Sequence, residues 1–184
     1  FIAHVGDSRI YMIRQGRVVQ LTDDHTYAER LQREARRRET EISEQQLKRY
    51  SHVLTRAIGT DPRVDIDTLF IDVRPGDLFV LCSDGVSDVI EENELLRASQ
   101  TAGPDRLADR LVEEAYRCGS TDNATALVVA AEPRHLVVAG VHDAVHKGAH
   151  LLAAHVVHRQ FHRLGRRQGE ADHGRRVEGV GEVA

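Results

Sequence analysis

Tryptophan is absent, aromatic residues make up only 4% of the 184 positions, and methionine occurs once. A core with so few rings must be built from Leu, Val, Ile and Ala. Cysteine is nearly absent too. Cys82 and Cys118 are the two thiols, and neither sits in a CxxC pair, which argues against a zinc ribbon or a redox dithiol. Reduced thiols are expected, which fits a cytoplasmic location. A basic excess is also missing, since 25 Lys and Arg face 29 Asp and Glu for a net charge of -4. Nucleic acid is therefore not expected as a partner, because binding a phosphate backbone needs clear positive charge. No long apolar run occurs. The longest apolar-leaning stretch, residues 136–157, contains Asp143, Lys147 and four histidines, which would be costly in lipid, so no membrane span is expected. No signal peptide is expected. The sequence opens at Phe inside a strand-like run, so a truncated start is expected.

The length suits one domain, but the composition changes near Pro133. Residues 1–132 carry 17 basic and 24 acidic side chains, whereas residues 133–184 carry 8 and 5 together with eight of the eleven histidines. The first part reads as the folded body and the second as a His/Arg/Gly-rich tail, unassigned and partly disordered.

Within the body, Phe1–Val5, Ile10–Arg14 and Arg17–Leu21 read as strands of an antiparallel meander joined by Gly-containing turns. Thr26–Arg38 has helical spacing, and Ser43 with Gln46 forms a capping box for a short helix through Tyr50. Ile66–Val73 alternates as a strand. Leu78–Cys82 is nearly all apolar, as a central strand should be. Asp88–Gln100 reads as a helix, Pro104 opens another that ends at Gly119, and Ala124–Ala131 is a buried strand. Antiparallel strands with paired helices predict an α+β layered architecture.

Three acidic turns stand out: Gly6-Asp7-Ser8-Arg9, Ser83-Asp84-Gly85 with Asp88 beyond it, and Ser120-Thr121-Asp122-Asn123. Each lies at a strand boundary, where rigid backbone can hold a carboxylate over a cleft. Gly85 is expected to permit a sharp turn without a Cβ penalty. Taken singly, each Asp reads as a turn residue bonding nearby backbone N–H groups. Taken together, with no thiol or imidazole among them, they suit a hard cation such as Mg²⁺ or Mn²⁺.

Five strings in order carry a family resemblance across residues 1–132. Ala3-His4-Val5-Gly6-Asp7-Ser8-Arg9 resembles the GDSR motif of type 2C protein phosphatases, and Gln20-Leu21-Thr22-Asp23-Asp24-His25 their LTxDH segment. Leu54-Thr55-Arg56-Ala57-Ile58-Gly59 resembles LTRALG. Pro75-Gly76-Asp77 with Leu81-Cys82-Ser83-Asp84-Gly85 resembles PGD…LCSDG, and Gly119 to Thr125 resembles GSxDNxT. The chain looks like the C-terminal portion of a bacterial-type member.

The resemblance implies a four-layer α-β-β-α sandwich with two antiparallel sheets, incomplete here. It implies hydrolysis of phospho-Ser and phospho-Thr in proteins, opposing a Ser/Thr kinase, by a water bridging two Mg²⁺ or Mn²⁺ ions. No side chain of this sequence would be the nucleophile. Asp84 and Asp122 would ligate the binuclear pair, and Asp7 and Asp88 would hold, with Asp84, a third and weaker ion. Gly85, Asn123 and Ser8 would support them, and His25 would pack or hydrogen-bond. The segment from Thr26 to Tyr50 matches the family's flap. The family's DGMGG-like turn is missing, so the chain alone is expected to be inactive.

The alternative is a non-catalytic pseudophosphatase or regulatory binding module. A haloacid dehalogenase site is rejected because Cys82 stands where its nucleophilic Asp is needed, and an EF-hand because the ligand spacing is wrong. In the tail, residues 141–161 could form a helix with His142, His146 and His150 on one face. A Zn²⁺ or Ni²⁺ site there is the weaker reading, and an altered-frame origin would also explain the narrow vocabulary.

Overall fold

The computed structural model describes residues 1–132 and the strand at 151–159. Strand β1 (Ile2–His4) leads through the Gly6 to Ser8 turn into β2 (Arg9–Arg14), which returns as β3 (Arg17–Gln20). Gln15 and Gly16 between them both have positive φ, and Arg14 pairs with Arg17. That is the two-residue turn whose twist matches an antiparallel hairpin. Helix α1 (Tyr27–Arg38) starts where the Thr26 side chain accepts from the Glu29 N–H, and α2 (Glu44–Tyr50) starts at the Ser43–Gln46 capping box. Then follow β4 (Asp67–Leu69), β5 (Leu78–Cys82), α3 (Asp84–Ser87), α4 (Glu92–Thr101), α5 (Pro104–Arg117), β6 (Ala124–Glu132) and β7 (Leu151–Arg159).

Among the described residues, the strands of both sheets pair antiparallel. β1 pairs with β4 in a two-stranded sheet, and the larger sheet has the order β3-β2-β5-β6-β7. The apolar strand β5 lies in the middle, as its composition predicts. Helix α5 lays Leu107, Ala108, Leu111, Val112 and Ala115 across β6, all fully buried, while α4 packs against α5 and β3. Their spacing makes one continuous stripe. Burying each Leu or Val of this kind is worth about 1.5–3 kcal/mol. Tyr11, Val80, Cys82, Val86 and Val128 belong to the same core. By contrast, Phe1 and Phe70, which flank the two-stranded sheet, and Ile58, in the segment between α2 and β4, are largely exposed.

Three expectations change. The strand expected over Ile66–Val73 is only Asp67–Leu69, because its ladder partner β1 offers three residues. The helix expected from Asp88 to Gln100 is two elements. Asp88 caps the end of α3, and a capping box of Glu91 with Glu94 starts α4 afresh. The helix expected over residues 141–161 is contradicted at 151–159, which pair along all of β6, from Ala124↔Arg159 to Glu132↔Leu151. The open edge of a nine-residue strand supplies hydrogen-bond partners that overrule helical spacing. The rest of that expectation, the His142–His146–His150 face and the disorder expected at 165–184 lie outside the described residues.

Candidate functional site

The Asp7 turn sits between β1 and β2. Gly6 has φ +111 with open space where a Cβ would be, so the backbone conformation alone calls for glycine. Beyond the turn, Arg9 forks onto Asp24 through Nε (3.0 Å to each oxygen) and Nη2 (2.7 Å). Its Nη1 donates to the Tyr11 hydroxyl at 3.3 Å and to the Ser87 carbonyl at 3.2 Å. Arg9 thus ties the Asp7 turn to the end of α3, next to Asp88.

Asp84 is the first residue of α3, directly after β5, and its Oδ1 accepts from the Gly85 N–H at 2.8 Å. Gly85 does not have a positive φ. The turn-based reason for a glycine is therefore replaced by another. A Cβ at position 85 would collide with the Asn123 carbonyl oxygen and come within 2.9 Å of its carbon. The loop before β6 lies flat against α3 and is stitched there. The Ser83 N–H donates to Thr125 O at 3.1 Å, the Thr125 N–H donates to Ser83 Oγ at 3.1 Å, and Ser120 Oγ donates to Gly85 O at 2.7 Å. Ser83 Oγ also donates to Asn123 O at 3.3 Å. Asp122 rides on this loop, exposed, with its Oδ1 accepting from the Asn123 N–H at 2.7 Å.

Three of the four expected carboxylates share one electrostatic field. Burial, and after it the charge of Asp84, pushes the Asp7 carboxyl above its ordinary value. Burial also raises Asp88. His52 and Arg9 oppose that rise, and Asp84 and Asp7 add to it. His52 Nδ1 stands 3.6 Å from Asp88 Oδ2 and brings the segment after α2 to the site. An open cleft of about 320 Å³ lies beside Asp88, with Arg9, Tyr11, Gln20 and Ser87 also in its wall. Ser8 is exposed at the turn.

Burial pushes the Cys82 thiol up to about 12. A thiol so far from ionising is no nucleophile. Carboxylates such as Asp7 and Asp88, each raised in part by the charge of Asp84, have the donor chemistry for a hard divalent cation. Among the described residues, however, no three His, Cys, Asp or Glu side chains converge closely enough to hold an ion. The donor type fits a cation, and the set is partial.

Residues 1–124 match the family model described as Protein phosphatase 2C. The chain belongs to that family. The serine/threonine phosphatase stp of Listeria innocua serovar 6a is 33% identical over 133 residues, covering 70% of this chain and 50% of that protein. Among solved structures, the PPM Ser-Thr phosphatase MsPP from Mycobacterium smegmatis, in complex with cacodylate, superposes with a TM-score of 0.60 at 36% identity. The match covers 70% of this chain and 54% of that one. The catalytic domain of the phosphatase PstP, in complex with two manganese ions, gives 0.55 at 35%, covering 68% and 50%. The two antiparallel sheets with their helices are part of the fold of these phosphatases. The chain spans about half the length of the curated Listeria relative it matches.

Sequence reasoning missed Arg9, Asp24 and His52 as parts of the site. Arg9 and Asp24 lie inside the motif strings, and their opposite charges were the available signal. No periodicity pairs residues 15 positions apart, and His52 lies in no motif at all.

Proposed function

We propose that the phosphatase 2C domain represented by this chain is a metal-dependent protein Ser/Thr phosphatase, acting on phosphoproteins made by a Ser/Thr kinase in the cytoplasm. The observation that carries this reading is the family match, together with Arg9 tying the Asp7 turn to the end of α3, the helical turn that Asp84 opens and Asp88 closes. Asp84 and Asp122 would hold the paired Mg²⁺ or Mn²⁺ ions. Asp7 and Asp88, with Asp84, would hold a third. Such ions, when bound, acidify a water and neutralise a phosphoryl group. The chain's own residues prepare the site. The Ser83, Ser120 and Thr125 bonds fix the Asp84 and Asp122 loops to each other, and Arg9 fixes the Asp7 turn against α3. The manganese of the PstP structure supports the choice of ion.

A second reading, a non-catalytic binding module, draws on the partial ligand set and the exposed position of Asp122. The chain alone is proposed to be inactive towards phosphopeptides. No helix among the described residues is long and apolar enough to cross a membrane. Calorimetric titration with Mn²⁺, alongside Asp84→Asn, tests the metal assignment. Weak binding that the substitution abolishes supports it, and the same binding by both chains removes Asp84 from the site. Mn²⁺-dependent hydrolysis of a phosphothreonine peptide by the 184-residue chain would overturn its inactivity.

A further inference from the structure

The turn that carries Asp7 is gripped at both ends by two consecutive residues, Asp24 and His25. At its trailing end Arg9 forks onto Asp24. At its leading end the Gly6 N–H donates to His25 Nδ1 at 3.1 Å, and the His25 N–H donates back to the Gly6 carbonyl at 2.8 Å. A backbone N–H can only donate. Nδ1 is therefore an acceptor, and the ring hydrogen is assigned to Nε2. There it donates to Asp67 Oδ2 at 3.0 Å. Asp67 in turn accepts from Arg56 at 2.6 and 3.2 Å. The His25 side chain is 2% exposed, its carbonyl accepts from the Thr55 N–H at 2.7 Å, and the His4 ring lies 4.6 Å from its own.

Gly6 has no side chain to restrict its rotation, and its φ of +111 is one that few other residues adopt. The restraint on the residue before Asp7 comes from outside the turn. We infer that His25 is a positioning residue for Asp7. Its Nδ1 sets the Gly6 backbone and hence where Asp7 presents its carboxylate, while Asp67 and Arg56 lock the ring. The inference rests on the reading of Asp7 as a metal ligand. A role in packing alone would need only the volume of the ring. This role needs a hydrogen-bond acceptor at the Nδ1 position.

Two substitutions separate these roles. His25→Asn places an amide oxygen where Nδ1 stands and keeps the acceptor for Gly6. His25→Gln places an amide N–H near Nε2, keeps Asp67 and leaves the Gly6 N–H without its side-chain partner. The full chain and both variants are compared by NMR, reading amide exchange at Gly6, Mn²⁺-induced broadening of the Asp7 amide, and exchange at Val128 as a core reference. The Asn variant is expected to match the parent chain at Gly6 and in its Mn²⁺ profile. The Gln variant is expected to exchange Gly6 about tenfold faster, as loss of one hydrogen bond implies, and to need several-fold more Mn²⁺ to broaden Asp7. Val128 should be unchanged. A Gln variant that behaves like the parent at Gly6, or an Asn variant as disturbed as Gln, would overturn the inference. Should Gln loosen Val128 as well, the Asn variant decides alone: protected Gly6 supports the inference and exposed Gly6 overturns it. Absence of any Mn²⁺ effect in the parent chain would sink the metal reading, and the Gly6 contrast between the two variants would still decide the positioning role.

Discussion

Gly85 and the carbonyl of Asn123 lie so close that no Cβ fits between them. The contact joins the helical turn of Asp84 to the loop of Asp122, two segments far apart in sequence. Gly85→Ala is therefore expected to push the two loops apart and to cost about 1–3 kcal/mol, the range for overpacking a tight site. Urea denaturation would measure it. An Ala variant as stable as the parent would show that the loops give way easily.

His4 carries an acid sensitivity. The ring is buried, and neither nitrogen has a hydrogen-bond partner among the described residues. Burial, and after it the neighbouring His25, lowers its pKa from 6.5. The unfolded chain thus binds the proton more readily than the folded one. Stability falls as the pH drops below 6.5, until the folded form also takes up the proton. His4→Leu should flatten this part of the stability profile. An unchanged slope between pH 6.5 and 5 would assign the effect to other groups.

Arg9 holds the Asp7 turn through a fork that lysine cannot reproduce. Arg9→Lys keeps the charge and loses the paired N–H bonds to Asp24. It is expected to cost about 2 kcal/mol, the range for hydrogen bonds to charged groups. Thermal unfolding checks the value. Asp24→Asn should cost less when combined with Arg9→Lys than when introduced alone, because the two share one interaction.

Asp77 anchors the turn before β5. It is 1% exposed, and it accepts from Arg14 Nε and Nη2 and from the Arg74 N–H, each at 2.7 Å. The Arg14 hydrogen bond holds its carboxyl below 3.8. The stabilisation is present above pH 3.8 and disappears as the pH falls through the lower folded value. Asp77→Ala should lower the urea midpoint near neutral pH more than Asp72→Ala, whose carbonyl is the part that Arg14 uses. Equal effects would mean that the side-chain pair adds nothing.

The hairpin at Gln15-Gly16, the capping box at Ser43, the central place of β5 and the Pro104 helix start were all legible in the sequence. Each depends on residues within a few positions of one another. The family could be read for the same reason, since its motifs are short strings at strand ends. Other features could not be read locally. Ile66–Val73 alternates well, and it is a strand only where β1 provides a ladder. The segment from Leu151 follows the helical spacing of His142, His146 and His150, and the free edge of β6 draws it into the sheet. Sequence alone determined the family, the α+β class and the acidic turns, because turn chemistry and apolar periodicity act over short range. Tertiary structure decided why Gly85 is a glycine, that Asp24 and His25 grip the Asp7 turn, and which carboxylates feel one another. Close backbone approach and electrostatic coupling depend on distances in space, which residues 15 or 40 positions apart acquire only when the chain is folded.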